Sequence, residues 1–421
     1  MVKVRLTLSS SMIVLGVFLL VTVFSEHIAM LGGIYTSALA EVFIIIILSL
    51  AAMLLLFQKN LPKQSLHILI LVCLTFSISL FKNGFLVASL GTFFLFKSLI
   101  CFFVGLFLVT KDSSVRSTLR GILFIALLSS VYSIVEYHFG LDLIGHIFNL
   151  KDGRIGAKGL FFNANQNGLV MVCGFAYVLF VSEKSFTQKL CAALVLLYGI
   201  SLTGSFQSLG ATLFVVAFFA LKKMKSVSSF IALLPIIIIP IAAVYAMGLY
   251  GDRIESFQRA FDTGEYFRFK ALIISFQILS ENWLLGTGAG TFGGAIAGIT
   301  DSPIHAKYNI WSHWVGYENR PTTIDMYWPH AWAELGLCLT LYYIYILMRI
   351  IIPFIKQKLN SQEADLVCVG CLLIVICITS LINLSMETAF VGLLLFFLAG
   401  LSQKRISKKG LTTKSLEKLE L

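Results

Sequence analysis

The sequence predicts an all-α polytopic membrane protein of about 12 transmembrane helices, with both termini cytoplasmic and one large periplasmic loop. Three observations carry that prediction. The chain is 58% hydrophobic and 13% charged, with 36 phenylalanines and a mean hydropathy of +0.91, whereas a soluble domain is about 45–50% apolar and about 25% charged. Apolar runs recur along nearly all of the 421 residues, so a bilayer core that takes about 20 apolar residues per crossing sets the architecture. Basic residues, finally, collect at every second connection between those runs.

Apolar windows place helices at 10–25, 36–57, 66–81, 96–110, 119–138, 166–182, 189–203, 207–221, 228–248, 331–352, 366–383 and 388–402. The first follows Lys3 and Arg5 as a secretory signal would, but no small-residue cleavage site leads from it into a soluble domain, so it counts as a crossing. Twelve crossings bring both termini to one side, which holds 21 of the 32 basic residues and six of the 21 acidic ones. By the positive-inside rule that side is cytoplasmic, and the same distribution explains the net charge of +11 with no nucleic acid as partner. Four segments result: 1–249 with helices one to nine, 250–330 as the periplasmic loop, 331–403 with helices ten to twelve, and 404–421 as a basic cytoplasmic tail. The eight cysteines lie within apolar runs, and Cys368 and Cys371, spaced as C-x-x-C, have no second ligand pair nearby.

Two connections on the far side are long, about 140–166 and 250–330, and loops of that length are usually functional. The second contains Trp283, Trp311, Trp314 and Trp328, four of the five tryptophans. Over 266–284, Phe269, Leu272, Ile273, Phe276 and Leu284 recur near helical spacing, which predicts an interfacial or dipping helix. Gly286 to Gly294 then form a glycine-rich turn whose backbone N–H groups can face an anionic ligand. No strand precedes it and no Gly-Lys-Ser/Thr follows, which excludes a nucleotide-binding loop.

Ionisable and polar groups at a membrane face are costly to keep, so four clusters are candidates for chemistry. Arg154 and Lys158 stand with Asn163, Asn165 and Asn167 at the start of a helix. Ser201 to Ser208, with Gln207, make a hydroxyl-rich turn. Arg268 and Lys270 precede the glycine turn, where two cations can hold a diphosphate. The stretch from Asp301 to Glu334 carries His305, Lys307, His313, Arg320, Asp325, Trp328 and His330. The histidine spacings do not fit a metal site, and a triad of Ser302, His330 and Asp325 lacks a nucleophile elbow, so neither a metal nor a cofactor is expected.

Five stretches occur in a telling order: FFNANQNG (161–168), LTGSFQS (202–208), Arg268 ahead of ENWLLGTGAGTFG (281–293), DSPIHAKY (301–308) and DMYWPHAWAELGL (325–337). Over roughly 150–345 this resembles the bacterial O-antigen and capsule polymerase superfamily, which also contains the O-antigen ligases. The resemblance implies a GT-C-like fold in the bacterial inner membrane and a metal-independent glycosyltransferase. Its substrate would be an undecaprenyl-diphosphate-linked oligosaccharide, and its partners membrane lipids and a chain-length regulator. Ligases of this group usually carry a His-Asn pair where Asp325 and Met326 stand here, and the G-T-F-G, D-S-P and D-x-Y-W-P features look more like the polymerases. The family often has Ser-Arg where this chain has Ser205-Phe206-Gln207-Ser208, so Arg154, Lys158 or Arg320 must supply that charge. On this pattern Arg268 stabilises the leaving diphosphate, Asp325 is the first choice of base and His330 the second. Trp311, Trp314 and Trp328 offer faces to sugar rings, and Asn163, Asn165, Gln207, Lys270 and Lys307 complete the substrate contacts. Two alternatives are a ligase that transfers polysaccharide to lipid A core and a lipid-linked sugar transporter, although the chain has no internal repeat and its polar residues sit on one face.

Overall fold

The computed structural model describes residues 5–6, 63–107, 109–110, 113–140, 156–161, 163–223, 267–293, 296–297, 300, 302–310, 326–360, 363–381, 383, 385–386 and 389–417. The expected crossings at 10–25, 36–57 and 228–248 lie outside these residues, as do Arg154, Trp311, His313, Trp314, Arg320 and Asp325. The order is β1 (Arg5–Leu6), α1 (Lys63–Phe107), β2 (Val109–Thr110), α2 (Ser113–Phe139), α3 (Ala164–Phe180), α4 (Phe186–Leu202), α5 (Phe206–Lys223), α6 (Phe267–Glu281), α7 (Pro303–Lys307), α8 (Tyr327–Ile355), α9 (Ala364–Thr379), a π-helical turn (Ala389–Leu393) and α10 (Leu394–Glu417). The two short strands pair in parallel, Arg5 with Val109 and Leu6 with Thr110. Four helical stretches, Gln64–Leu106, Val115–Phe139, Phe206–Lys223 and Tyr327–Ile355, are long and apolar enough to cross a membrane. The chain is an α-helical membrane protein. Leu128 and Val131 on α2 and Leu341 and Met348 on α8 face outward, as lipid allows.

Helix α1 spans the expected window at 66–81 and most of that at 96–110 in one 45-residue run. At 45 residues it would measure about 67 Å if straight, twice the hydrocarbon core of about 30 Å. Gly84 (φ 77°, ψ 170°) interrupts it. On one arm Ser79 Oγ accepts the Ala289 N–H at 2.8 Å, and on the other Gly91 packs against the Ala289 backbone. In a straight helix those two positions would be about 18 Å apart, so the chain reverses at Gly84 and α1 forms two arms. The first arm meets α8 through His67 Nδ1 and Tyr342 Oη at 2.8 Å. The second meets it where Tyr327 Oη donates to the Leu95 carbonyl at 2.7 Å and where Phe96 sits edge-on to Tyr343.

Small residues set the closest crossings, as in membrane helix pairs generally. Gly105 of α1 lies on the Phe397 carbonyl and Gly400 of α10 on the Phe102 carbonyl. Gly174 of α3 packs on Ala126 of α2, and Gly199 of α4 on Ser130. Around these contacts the main core runs from Ile68 through Leu169, Val215 and Tyr343 to Phe396. A second, smaller core of Ala271, Ile278, Phe292, Ile310, Met326 and Ala333 joins the loop region to the start of α8.

Polar contacts define the two ends of the bundle. At one, Arg116 pairs with Glu183 at 3.0 Å, Arg405 with Asp365 at 2.7 Å, and Lys222 donates to the carbonyls of Ile355 and Gln357. This basic end gathers the starts of α2 and α9 and the ends of α3, α5 and α8. The opposite end gathers the start of α3, the turn between α4 and α5, the start of α8 and the end of α9. There the Tyr327 and Trp328 N–H groups donate to the carbonyls of Asn383 and Ser380, at 3.4 and 3.3 Å. These bonds satisfy first-turn amides that a helix cannot satisfy itself, so α8 begins four residues before the window at 331–352. Past its π-helical start, α10 runs helically through the basic residues to Glu417.

Candidate functional site

The site at the end opposite the Arg116 and Arg405 ion pairs is built around a helix and a turn that pack on α8 and on the α1 apex. Helix α6 lies beside α8, with Trp332 Nε1 donating to Ser275 Oγ at 2.9 Å and Phe276 stacked on Trp332 at 5.1 Å. Its buried side chains are Ala271, Ser275 and Ile278, while Phe269, Ile273, Phe276 and Leu284 of the apolar stripe are about half exposed. The stripe therefore divides: Phe269, Ile273 and Leu284 lie on the outer side, while Leu272 packs into the smaller core with Ala271 and Ile278 and Phe276 stacks on Trp332. Just after α6 the Trp283 carbonyl accepts the Leu337 N–H at 2.7 Å. Leu337 follows a reversal of α8: Tyr327 Oη lies 2.5 Å from Tyr343 Oη, although a straight helix would hold the two residues about 24 Å apart. Helix α8 is interrupted there at Gly336 (φ 69°), which packs on the Gly286 backbone.

The glycine turn corrects the expectation that its amides face a ligand. The N–H groups of Gly290, Thr291, Phe292 and Gly293 all donate to the Glu334 carboxylate, at 2.9, 3.0, 2.8 and 3.0 Å. Glu334 is 1% exposed, so the nest is closed by the protein's own anion. Thr287 and Gly288 donate their N–H groups to the carbonyls of Ala333 and Glu334, which the interruption of α8 frees. Side chains of the α1 apex complete the seat: Lys82 Nζ donates to the Gly286 carbonyl at 2.5 Å and Asn83 Nδ2 to the Thr287 carbonyl at 3.1 Å. Buried irregular backbone persists only where protein groups satisfy it, and every one of these contacts does so.

His330 lies one turn before Glu334, 3% exposed, with Nε2 3.7 Å from Oε2 of that carboxylate. Gly293 packs so tightly on it that a Cβ there would meet the imidazole. His305 Nε2 pairs with the Phe292 carbonyl at 2.8 Å, which anchors α7 to the turn. Trp328 is buried and donates its Nε1–H to the Cys377 carbonyl at 2.8 Å. Gln207 bonds two ways into the loop after α9: its Nε2 donates to Ser385 Oγ at 2.8 Å and its Oε1 accepts from Asn383 Nδ2 at 3.0 Å. A continuous set of contacts thus links the 201–208 turn through Asn383 to the start of α8, and through His330 and Glu334 to the glycine turn.

The first cluster joins this set from the α2 side. Glu136 Oε2 accepts the N–H groups of Lys158 and Gly159 at 3.1 and 2.9 Å. Ser129 Oγ donates to Asn167 Oδ1 at 2.6 Å, and Asn167 Nδ2 donates to Ser133 Oγ at 2.9 Å. Gly168 packs on Ser208, which ties this network to the hydroxyl-rich turn. Asn163 caps α3, its side chain accepting the Asn165 N–H at 2.9 Å. Arg268 and Lys270 sit half-buried in the first turn of α6. Lys307 is exposed and pairs with Glu281 at 2.5 Å. Hydrogen bonds from Lys307 and Tyr308 hold the Glu281 carboxyl below its usual range, and the same Glu281 contact raises Lys307.

Sequence-based expectations gave no role to Glu136, Glu334 or Lys97, although each is an ionisable residue inside an expected crossing, which is itself a signal. The two carboxylates each pin a long far-side connection to the bundle. Lys97 is buried in the second arm of α1, over the Phe94 ring at 5.2 Å. Fold and site together define an α-helical membrane protein whose glycine turn is seated on Glu334 and the α1 apex, at the end opposite the Arg116–Glu183 and Arg405–Asp365 pairs. No model of a known protein family matches the chain, and no curated protein matches it in sequence.

Proposed function

We propose that the protein is a polymerase that transfers a growing undecaprenyl-diphosphate-linked glycan onto a new lipid-linked repeat unit at the periplasmic face of the bacterial inner membrane. The observation that carries this reading is convergence. Segments scattered between 156 and 337, the same ones that carry the resemblance, meet at the end of the bundle opposite the basic end. An enzyme acting on a lipid-borne sugar needs its polar groups at that depth, because the diphosphate of the donor lies at the headgroup level.

In this reading an acceptor hydroxyl attacks the anomeric carbon of the donor sugar, and the bond from that carbon to the diphosphate oxygen breaks. The hydroxyl proton passes to Asp325, or to His330 if Asp325 serves only to orient. The departing diphosphate keeps the bonding electrons, and Arg268, with Lys270 in the same turn and Arg154 or Arg320, stabilises the charge. The donor is already activated, so positioning and charge suffice without a covalent enzyme intermediate.

Arg268→Ala and Asp325→Asn are each expected to abolish polymer growth while the protein stays inserted, as judged by glycan ladders and membrane immunoblotting. A near-normal ladder from either variant removes that residue from the mechanism. A deletion strain should lose long chains and keep single-repeat capping. If it instead accumulates long lipid-linked polymer that never reaches lipid A core, the ligase reading replaces this one.

A further inference from the structure

The apex of α1, where its two arms meet at Gly84, has the polarity of a water-exposed turn reversed. A turn that projects into water keeps its polar side chains outside and its large apolar ones packed. Here Lys82 and Asn83 donate inward to the Gly286 and Thr287 carbonyls, at 2.5 and 3.1 Å, while Phe81 and Phe85 are 91% and 71% exposed. Leu86 is exposed beside them, and so are Trp283, Leu284 and Leu285, which lead directly into Gly286. We infer that the apex and the Trp283–Leu285 segment form one anchor, seated among lipid acyl chains just beneath the headgroups of the leaflet opposite the basic end. This inference does not depend on the proposed activity.

Length places the apex at that boundary. The first arm begins beside the last turns of α8, where Gln64 Nε2 donates to the Arg349 carbonyl at 3.4 Å. From there the arm, residues 63–83, runs for about 31 Å, which matches a hydrocarbon core of about 30 Å. An arm that starts at one face of the bilayer therefore ends at the other.

Continuity and residue type choose lipid as the occupant. Leu74 and Leu80 on the first arm and Leu90 on the second are exposed, so the outward apolar surface of a helix apolar enough to cross a membrane continues onto the apex. A cluster of exposed phenylalanines and leucines gains by leaving water. The Trp283 indole, apolar with one N–H, belongs to the ring type that settles at the headgroup level. Because Lys82 and Asn83 hold the Gly286 and Thr287 carbonyls, the anchor also sets the depth of the glycine turn.

The test uses the full-length chain in liposomes of phosphatidylethanolamine and phosphatidylglycerol. On a background without native cysteines, Phe81→Cys and Phe85→Cys each carry a nitroxide, and its collisions with oxygen are compared with its collisions with a polar nickel chelate. The references are Lys184→Cys, at an exposed position of the basic end, and Phe124→Cys, at an exposed position midway along α2. At 81 and 85 the ratio of oxygen to nickel collisions should lie between the two references. It should exceed the Lys184 value at least about threefold, because hydrocarbon excludes a polar solute by more than that factor. Should the cysteine-free chain fail to fold, a benzoylphenylalanine at position 81 of the otherwise unaltered chain should give lipid adducts on irradiation. Ratios below the threefold margin overturn the proposal in favour of water. Labels shielded from both reagents, or adducts with a second copy or another segment of this chain, overturn it in favour of a protein neighbour.

Discussion

At the residue scale, Glu334 decides the local structure. A carboxylate in an apolar helix is costly, and four backbone N–H donors offset that cost. A glutamine there presents one acceptor oxygen to four donors and adds N–H groups of its own. Glu334→Gln should therefore lower stability by about 2–4 kcal/mol, seen as a lower thermal midpoint in detergent; an unchanged midpoint contradicts this account. The Lys307–Glu281 pair makes a gentler, pH-dependent contribution. Because Glu281 is held below its ordinary 4.5, its share of stability is present above that pH and fades as pH falls through the lowered value. Lys307 is raised above its ordinary 10.5, so its share is present below that pH and fades as pH rises through the raised value. The difference in midpoint between wild-type protein and Lys307→Met should accordingly be small at neutral pH, because the pair is exposed, and should close in acid. A gap that widens in acid would reverse the sign of this assignment.

At the element scale, close backbone approach matters more than side-chain bulk. Gly105 and Gly400 let α1 and α10 meet with each glycine on the other helix's carbonyl. Gly105→Val should cost about 1–3 kcal/mol by overpacking, measurable as reduced recovery of monodisperse protein in fluorescence-detected size-exclusion chromatography; normal recovery and melting would show that the helices can part. Helix existence was legible in the sequence, because runs such as 119–138 and 189–203 are mostly apolar. Helix interruption was not. The reversal at Gly84 and the break at Gly336 look like any other glycine within an apolar run, and they follow from the turn that wedges between the two helices. The stripe of α6 was visible, yet which of its members meet protein was not, since periodicity marks an apolar face without saying what covers it.

At the scale of the whole molecule, the two ends differ in their polar contacts. On a background without native cysteines, single cysteines replacing Lys184 and Lys358 should react with a membrane-impermeant thiol reagent from one side. A cysteine replacing Lys307 should react from the other side only. Reaction of all three from the same side would place the glycine turn at the basic end and remove the basis of the proposed function. The candidate site was partly legible in this sense: asparagines, hydroxyls and histidines in far-side motifs named the segments that meet. Their partners were not, because Gln207 finds Ser385 and Asn383 across more than 170 positions of sequence.

The sequence by itself determined the solvent, the helical character and the sidedness of charge, because each follows from composition and short-range periodicity summed over many residues. Only the tertiary structure decided that the glycine turn binds Glu334 instead of presenting its amides to a ligand. That choice depends on two segments about 40 residues apart arriving at one depth, where a buried anion and four amides satisfy each other more completely than either would satisfy itself in lipid.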